Sequence, residues 1–566
     1  MRPQNRKTFL SRSPGGVLAA SLVFLHCLTA QSAEQRSQQR RPAPPQYQVI
    51  YNWDGAPHGY SDFPQSLEQF LDKTFAPLKE TQVEALFFCV GEHEATWNSE
   101  SLPTVGDNQH RVYSSANAMR HNENIRAMIE RGENPYAAMV RRGHELGIDV
   151  YVSIRMNDNH FRGLQLDELS NADLDGLTQL RRDHPEWCLG ADQAPPWFAA
   201  SWNMAIPEVR EHRFEYIQEA LALADWDGVE LDWQRHAFHL PADDAWRLRY
   251  VLTDLQRAVR QHTSRIADKR NKPFPVAVRV ATTLESCRHI GYDLETWIRE
   301  DLCDIITAGG GAGSDPGVEV ENFLNLVQGT PVRFYGGFDG GFWGTHDGLK
   351  PRDEWQRDWF RGTSQGYWAR GAHGMYVFNW HANERTRRDL LTQIGSQQTL
   401  RGTNKVFSAV HRLIRDTGDW ARADLHDRIN GETPVALYPT LTADGPVFRI
   451  GIFDNVSQGS SAQRLQQIDL RIKLDHFVSS DRVQVKLDGL TLGQPDIRNA
   501  KAEDPLNPSD VDESSWLVWP LDPAAAEPGI HQVQVRLQKR DPRIRPPLVV
   551  QHVEFHVKYD SGKEEL

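Results

Sequence analysis

The segment Gly228-Val-Glu-Leu-Asp-Trp-Gln carries two carboxylates two residues apart, followed by a glutamine. Side chains alternate between the two faces of a β-strand, so Glu230, Asp232 and Gln234 should share one face. Two carboxylates on a buried face repel each other and lose hydration, which costs free energy unless cations, hydrogen bonds or a bound proton compensate. Crowded carboxylates also give a site separate acid and base or nucleophile functions, as cleavage of a glycosidic bond requires.

Two arginines are candidates for the compensating charge. Arg155 and Arg279 lie on the predicted strands before and after this segment and have the parity needed to face Glu230 and Asp232. One interpretation is structural: Glu230 pairs with Arg155, Asp232 pairs with Arg279, and the two buried ion pairs lock the fold. A second interpretation is that the arginines bind the sulfate or uronate group of an anionic carbohydrate.

The elements that must position these residues are short β-branched or aromatic runs separated by longer amphipathic stretches. Eight such runs begin at Gln48, Ala85, Asp149, Gly228, Val276, Asp304, Val332 and Gly374. Helical spacing of apolar residues predicts helices over Ser66–Lys79, Pro135–Leu146, Pro207–Ala224, Asp243–His262 and Asp353–Arg370. The alternation predicts the α/β class and a (β/α)8 TIM barrel with enlarged loops. The alternative, an open doubly wound sheet, usually has a glycine-rich phosphate turn after its first strand, and this sequence has none.

In such a barrel the active site lies at the carboxyl ends of the strands, where this sequence has many polar residues. The candidate catalytic residues are Asp232, Glu230, Asp339 and Glu285. The candidate substrate-binding residues are Asp54, Glu92, Arg155, Asn157, Asp158, Gln234, Arg279, Tyr335, Trp343, Asn379, Trp380 and His381. Among the tryptophans, Trp343 lies in a glycine-rich segment suited to a substrate-facing loop, and an exposed indole can stack on the apolar face of a pyranose.

The stretch Asp227-Gly-Val-Glu-Leu-Asp-Trp-Gln resembles the fourth-strand signature of family 18 chitinase-like barrels, in which an aspartate, two further acids and a final glutamate alternate. Trp380, at the end of the eighth run, resembles the tryptophan that floors the sugar site in those enzymes. Gln234 departs from the pattern because it stands where the chitinases have their acid, and a glutamine cannot deliver a proton.

The same stretch is similar to the strand-four motif of α-amylase-like barrels, whose aspartate is the nucleophile. That resemblance implies Asp232 as nucleophile, Glu285 as general acid/base and Asp339 as third carboxylate, although Glu230 stands where those enzymes have an arginine. The architecture as a whole most resembles the hypothetical glycosyl-hydrolase-like barrels of bacteria that carry a C-terminal β-sandwich.

Changes in composition and in hydrophobic periodicity along the chain indicate its domain organisation. Residues 1–33 have the basic start, apolar run and small-residue site of a signal peptide, and residues 34–46 form a Gln-, Arg- and Pro-rich disordered leader. The barrel domain spans residues 47–400, and a helical bridge spans 401–431. Period-two alternation in residues 432–566 predicts a β-sandwich domain. We therefore expect a secreted or periplasmic protein.

Net charge, cysteine spacing and motif content restrict the classes of partner, metal and cofactor that we expect. A formal net charge of −13 argues against binding to nucleic acid, or to an anionic membrane after signal cleavage. The widely spaced Cys89, Cys188, Cys287 and Cys303 are either buried thiols or form one disulfide. We predict no metal and no cofactor, because neither HExxH nor CxxC occurs, and no serine hydrolase, because no GxSxG turn follows a strand.

These observations favour a glycoside hydrolase that cleaves a poly- or oligosaccharide with paired carboxylates. A second hypothesis is an exported glycan-binding barrel without turnover, for which Gln234 is the favourable feature. A third is a surface assembly module that docks through its β-sandwich.

Overall fold

The computed structural model describes residues 42–53, 62–91, 94–107, 110–159, 163–172, 174, 177–309, 316–339, 352–410, 432–456, 464–499 and 514–560. For Trp197, Asp339 and residues 352–353 it describes the backbone alone. The predicted signal peptide, residues 34–41 of the leader and residues 411–431 of the predicted bridge lie outside these ranges. No helix in the described part of the chain has both the length and the hydrophobicity needed to cross a lipid bilayer.

Eight parallel strands close into a barrel in chain order, with β1 paired to both β2 and β8. They are β1 (Val49–Trp53), β2 (Val83–Cys89), β3 (Asp149–Arg155), β4 (Gly228–Asp232), β5 (Val276–Val280), β6 (Ile305–Ala308), β7 (Arg333–Asp339) and β8 (Gly374–Phe378). Each lies within or overlaps one of the eight predicted runs, so the predicted TIM barrel is confirmed. Parallel strands buried on both faces read as short apolar runs rather than as alternating ones, which is why the runs were recognisable.

Helices connect the strands. They are α1 (Leu67–Phe75), α2 (Ala116–Glu130), α3 (Pro135–Glu145), α4 (Leu166–Leu169), α5 (Gln179–Asp183), α6 (Pro207–Ala222), α7 (Ala245–Arg270), α8 (Leu284–His289), α9 (Leu294–Arg299), α10 (Val320–Val327), α11 (Arg352–Ala369), α12 (Arg385–Leu391) and α13 (Gln397–Leu400). Local signals set their ends: Ser66 and Gln69 form a capping box at the start of α1, and Asn271 ends α7 in the left-handed conformation.

The inside of the barrel divides into an apolar lower part and a polar upper part. Near the amino ends of the strands, inward side chains such as Phe87, Tyr151, Ile305 and Tyr335 form one buried cluster. Toward the carboxyl ends, the inward positions become polar, beginning with Glu230. The apolar part fixes the strands, and the polar part is where chemistry can occur.

The C-terminal part is a two-sheet β-sandwich, as predicted. One sheet has the order β10-β18-β12-β16-β15, with β9 also paired to β18, and the other has the order β11-β17-β13-β14. Its strands are β9 (Lys405–Ser408), β10 (Val435–Leu437), β11 (Val447–Ile452), β12 (Leu465–Asp475), β13 (Arg482–Leu487), β14 (Leu490–Thr491), β15 (Asp496–Asn499), β16 (Ser514–Pro520), β17 (Gly529–Lys539) and β18 (Leu548–Tyr559).

Strand β9 corrects the prediction of a helical bridge at its amino-terminal end. Residues 405–408 were expected to be helical, yet they pair antiparallel with β18, where Phe407 lies opposite Phe555. The segment Lys-Val-Phe-Ser is too short to hold a helix alone, and the free side of β18 offers it a complete ladder of backbone hydrogen bonds.

All four cysteines in the described part of the chain are free and buried. Burial raises the pKa of Cys188 to about 11 and that of Cys303 to about 12. Of the two alternatives left open by the sequence, buried thiols therefore apply to these four residues. The thiols of Cys188 and Cys303 remain protonated at neutral pH.

Helix α11 of the barrel packs directly on β9. Trp359 donates a hydrogen bond from Nε1 to Ser408 Oγ at 2.8 Å, and a Cβ added at Gly362 would lie 2.0 Å from the carbonyl oxygen of Val406. We expect Gly362→Ala to lower the free energy of unfolding by about 1–3 kcal/mol, because backbone would have to move to admit the methyl group. Urea titration measures this. Gly493→Ala, whose added Cβ would meet nothing within 4 Å, is the control, and an equal effect of the two would contradict close packing at this contact.

Candidate active site

The inner face of β4 carries both predicted carboxylates. Glu230 has no exposed surface and Asp232 is 1% exposed. In the strand register Glu230 lies beside Ser153 of β3, and Asp232 lies beside Arg279 of β5. The alternation of side chains along the strand therefore places both acids in the polar upper part of the barrel, as predicted.

Asp232 forms a bidentate ion pair with Arg279. Nε donates to Oδ1 at 2.8 Å and Nη2 donates to Oδ2 at 3.1 Å, and both side chains are buried. The backbone amides of Gln234 and Arg235 also donate to Oδ1, at 3.1 and 3.0 Å. Burial alone would lower the pKa of Arg279, but the negative charge of Asp232 raises it above its ordinary value, so Arg279 stays charged.

Glu230 is held by neutral partners. Its Oε2 accepts hydrogen bonds from Asn52 Nδ2 and from Ser153 Oγ, both at 2.6 Å. The predicted pairing of Glu230 with Arg155 is wrong. Arg155 lies beside Asp232 in the register, one layer closer to the rim than Ser153, and its guanidinium bonds Asp158 at 2.6 Å instead.

The pKa of Glu230 is raised to about 7. The largest cause is burial, which disfavours the charged form, and the negative charge of Asp232 adds to it; hydrogen bonding from Ser153 and the charge of Arg279 act in the opposite direction. Glu230 can therefore hold a proton near neutral pH, next to an aspartate whose charge is balanced by an arginine.

Two buried polar atoms in this layer, Asn52 Oδ1 and Thr307 Oγ1, make no hydrogen bond with the described residues. Tyr376 lies close enough to Glu230 that the carboxylate, after burial itself, raises the tyrosine pKa well above its ordinary value. Buried polar atoms are nearly always hydrogen-bonded in folded proteins. The side chains of Asn52 and Thr307 are fully buried, so a polar guest reaches the two atoms only if the layer opens to admit it.

Phe378 forms an apolar wall of this layer. The Arg279 guanidinium lies 4.0 Å from the centre of the Phe378 ring, which reaches it from β8 across the barrel. The ring shields one face of the ion pair from water and so strengthens its electrostatics.

One predicted binding residue, Asn157, serves as a structural support. Asn157 is buried; its Oδ1 accepts from the Trp202 amide at 3.1 Å and its Nδ2 donates to the Phe238 carbonyl at 3.0 Å, which ties two loops together. Gln234 is also buried, directly beyond Asp232. Asp158 and Arg155 form their ion pair beside these loops.

The resemblance implies that Trp380 lies at the base of a sugar site, but the structure places it elsewhere. It is fully buried, donates from Nε1 to the Arg387 carbonyl at 2.9 Å and packs edge-on against Phe360 of α11. The cause is Asn379, whose φ of +47° interrupts the alternation of β8 and turns the following indole outward into the helix layer. Asn379 itself is partly exposed, and His381 is exposed and edge-on to Trp53, so these two lie at the rim.

Tyr335 lies elsewhere than predicted, whereas Glu285 lies just beyond β5 as the sequence indicates. Tyr335 is the third residue of β7, and its hydroxyl accepts from the Tyr47 amide at 2.9 Å, which places it toward the amino end of the barrel. Glu285 is an exposed residue in the first turn of α8, after the cap residue Thr283, and is not on the inner face of β5. Asp54, Glu92, Trp343 and the side chain of Asp339 lie outside the described residues.

Asp227, the first acid of the strand-four motif, lies at the opposite end of the barrel from Asp232. Its carboxylate accepts from His144 at 2.8 Å and from Lys272 at 2.9 Å, and with His144 and Asp149 it forms a group of possible metal ligands. The ammonium of Lys272 already balances its charge, so this group is well explained as a brace for β4.

Sequence reasoning missed three residues of the polar layer: Ser153, Thr307 and Tyr376. Each lies on an inward position. The parity used for Arg155 on β3 also applies to Ser153, and the same rule applied to β6 and β8 finds Thr307 and Tyr376.

Comparisons with known proteins give fold similarity only. No known protein family matches the chain, and no curated protein sequence matches it. A Paenibacillus cycloisomaltooligosaccharide glucanotransferase complexed with cycloisomaltoheptaose is 9% identical over 89% of this chain and 57% of its own, with a TM-score of 0.30. A glycoside hydrolase family 18 N-acetylglucosaminidase from Paenibacillus barengoltzii is 12% identical over 61% and 99%, with a TM-score of 0.33. An Anoxybacillus α-amylase is 9% identical over 87% and 99%, with a TM-score of 0.32. Similarity at this level does not define the chemistry of the site.

Proposed function

We propose that this chain is an exported glycoside hydrolase that cleaves a poly- or oligosaccharide with Glu230 and Asp232. The observation that carries the proposal is the contrast between the two acids on the inner face of β4. Glu230, among neutral partners, has a pKa of about 7, whereas the charge of Asp232 is balanced by Arg279. Two carboxylates whose environments separate their protonation are the requirement for splitting a glycosidic bond.

In this proposal Glu230 gives its proton to the leaving oxygen as the glycosidic bond breaks, and the Asp232 carboxylate stabilises the positive charge developing on the sugar ring. A water molecule then adds to the anomeric carbon and returns a proton to Glu230. The unpartnered oxygen atoms of Asn52 and Thr307 bond hydroxyl groups of the sugar. Because both side chains are buried, binding requires the layer to open to the substrate. The basic and apolar pattern of residues 1–33 is the support for export.

A second candidate is an exported glycan-binding barrel without turnover. Gln234 favours it, because this buried amide stands at the position where the chitinase-like pattern has its acid. Both oxygens of Asp232 are also engaged by Arg279, which favours a structural role for the pair.

The test is release of new reducing ends from a panel of polysaccharides: xylan, laminarin, pullulan and glycol chitin as neutral probes, alginate and polygalacturonate as anionic ones. We expect turnover of at least one probe, and a fall of about 10²–10⁴-fold in kcat for Glu230→Gln, because general acid catalysis contributes that much. Retardation in gels containing the same polysaccharide should persist in the variant.

Glu208→Gln, an exposed carboxyl of α6, is the matched control and should keep full activity. Asp232→Asn is compared with it only after its circular dichroism shows a folded chain. Binding without turnover in the wild type would select the second candidate. Turnover that survives Glu230→Gln would reject the assigned roles.

A further inference from the structure

Trp246 and Tyr250 are large aromatic side chains exposed on the first two turns of α7. They are 41% and 62% exposed, whereas the tryptophans of the barrel core are buried. Four residues apart on a helix, they lie on the same face, one turn from each other. Two neighbouring aromatic side chains on one exposed helix face form a surface that a partner can cover.

A shallow depression adjoins Trp246. Trp246, Tyr292 and residues of α8, α9 and α10 line it. The Tyr292 hydroxyl donates to the carbonyl of Trp233 at 2.6 Å, and Trp233 directly follows Asp232. The depression therefore lies behind the loop that leaves β4, at the carboxyl end of the barrel, which is the end that holds the candidate active site.

Charged groups around the aromatics are balanced. Arg249 stacks on Trp246 at 4.4 Å and bonds Asp293 at 3.2 Å, while Arg288 pairs with Glu295. These two arginines and two acids carry no net charge together, so they do not attract a polyanion. Their side chains still present many hydrogen-bond donors and acceptors to hydroxyl groups.

We propose that this surface, which we call the Trp246 platform, is a secondary binding site for a neutral polysaccharide chain. The inference rests on the proposed function, because it gives the same substrate a second point of attachment. An exposed indole beside a shallow depression, ringed by polar groups, matches a pyranose with its apolar face and equatorial hydroxyls. A second copy of this chain is a poorer occupant: a stable protein interface takes about 20–30 residues a side, and this patch exposes two large apolar side chains ringed by ion pairs.

The experiment is affinity electrophoresis of the full chain in gels containing laminarin, xylan, pullulan or glycol chitin, with alginate for comparison, alongside hydrolysis of the retained polysaccharide and of a short oligosaccharide from it. We expect Trp246→Ala to weaken retardation by a neutral polysaccharide about 10-fold, the equivalent of about 1.4 kcal/mol, and to slow hydrolysis of the polymer. Hydrolysis of the short oligosaccharide should not change. Trp246→Phe should recover most of the binding. Tyr438→Ala, a 68% exposed aromatic of the sandwich, is the control.

Outcomes separate this inference from the proposed function. Equal retardation of wild type and Trp246→Ala overturns the platform while leaving the hydrolase intact. Retardation by alginate alone overturns the neutral ligand. Loss of a dimer on light scattering in Trp246→Ala shows that a second copy of the chain occupies the surface and overturns the proposal. Turnover by the wild type of none of the panel rejects the proposed function itself.

Discussion

Replacing Arg279 by glutamine should lower the free energy of unfolding by about 3–5 kcal/mol, because it leaves the charge of Asp232 buried without its cation. The pair is 2.8 Å apart at its shorter contact, and both side chains are at most 2% exposed. Arg257→Gln is the matched control. Its bidentate pair with Glu300 has similar geometry but is exposed, so its loss should cost at most about 1 kcal/mol.

The double variant Asp232→Asn/Arg279→Gln removes both charges at once and should recover most of the loss. Equilibrium unfolding in urea of the wild type, both single variants and the double variant completes the cycle. If Arg279→Gln costs no more than Arg257→Gln, the two side chains are solvated and the description of a closed polar layer is wrong.

The free energy of unfolding should fall between pH 4.5 and pH 7 through Glu230. Its pKa is about 7 in the folded protein against an ordinary value of 4.5, so between these values the folded protein holds a proton that the unfolded chain has released. Stability from this group is therefore fully present below pH 4.5, is lost as pH rises, and does not change above pH 7. The shift corresponds to about 3 kcal/mol.

Glu230→Gln isolates this contribution, because the amide keeps the shape and cannot titrate. The difference in free energy of unfolding between variant and wild type, measured at pH 5, 6, 7 and 8, should move in favour of the variant as pH rises, while other carboxyl groups cancel. A difference that does not depend on pH would mean that Glu230 is ionised throughout, and the proposed proton donor would be lost with it.

The main lines of the fold could be read from the sequence because they depend on local periodicity. Eight β-branched runs separated by amphipathic stretches leave few compact arrangements for parallel strands, and the closed barrel is the one observed. The alternation of side chains along a strand predicted that Glu230 and Asp232 point inward. The pairing of Asp232 with Arg279 followed too, because the two residues lie opposite each other on adjacent strands.

Contacts between strands that are not adjacent could not be predicted from local periodicity. Glu230 is bonded by Asn52, which is 178 residues away in the chain and lies on a strand that does not neighbour β4. Whether Arg155 or Ser153 reaches Glu230 depends on the stagger of the strands around the barrel, and a shift of one layer exchanges the two.

Single backbone conformations affected the structure of the site as much as the contacts between strands did. A left-handed residue at Asn379 moves Trp380 from a candidate sugar platform into the core, and strand β9 forms only because β18 has a free side to pair with. The sequence by itself determined which residues alternate inward on each strand, since that is a property of neighbouring residues. Which inward residues meet, and which of them keep unpartnered atoms for a guest, was decided by the register between strands, which only the closed barrel defines.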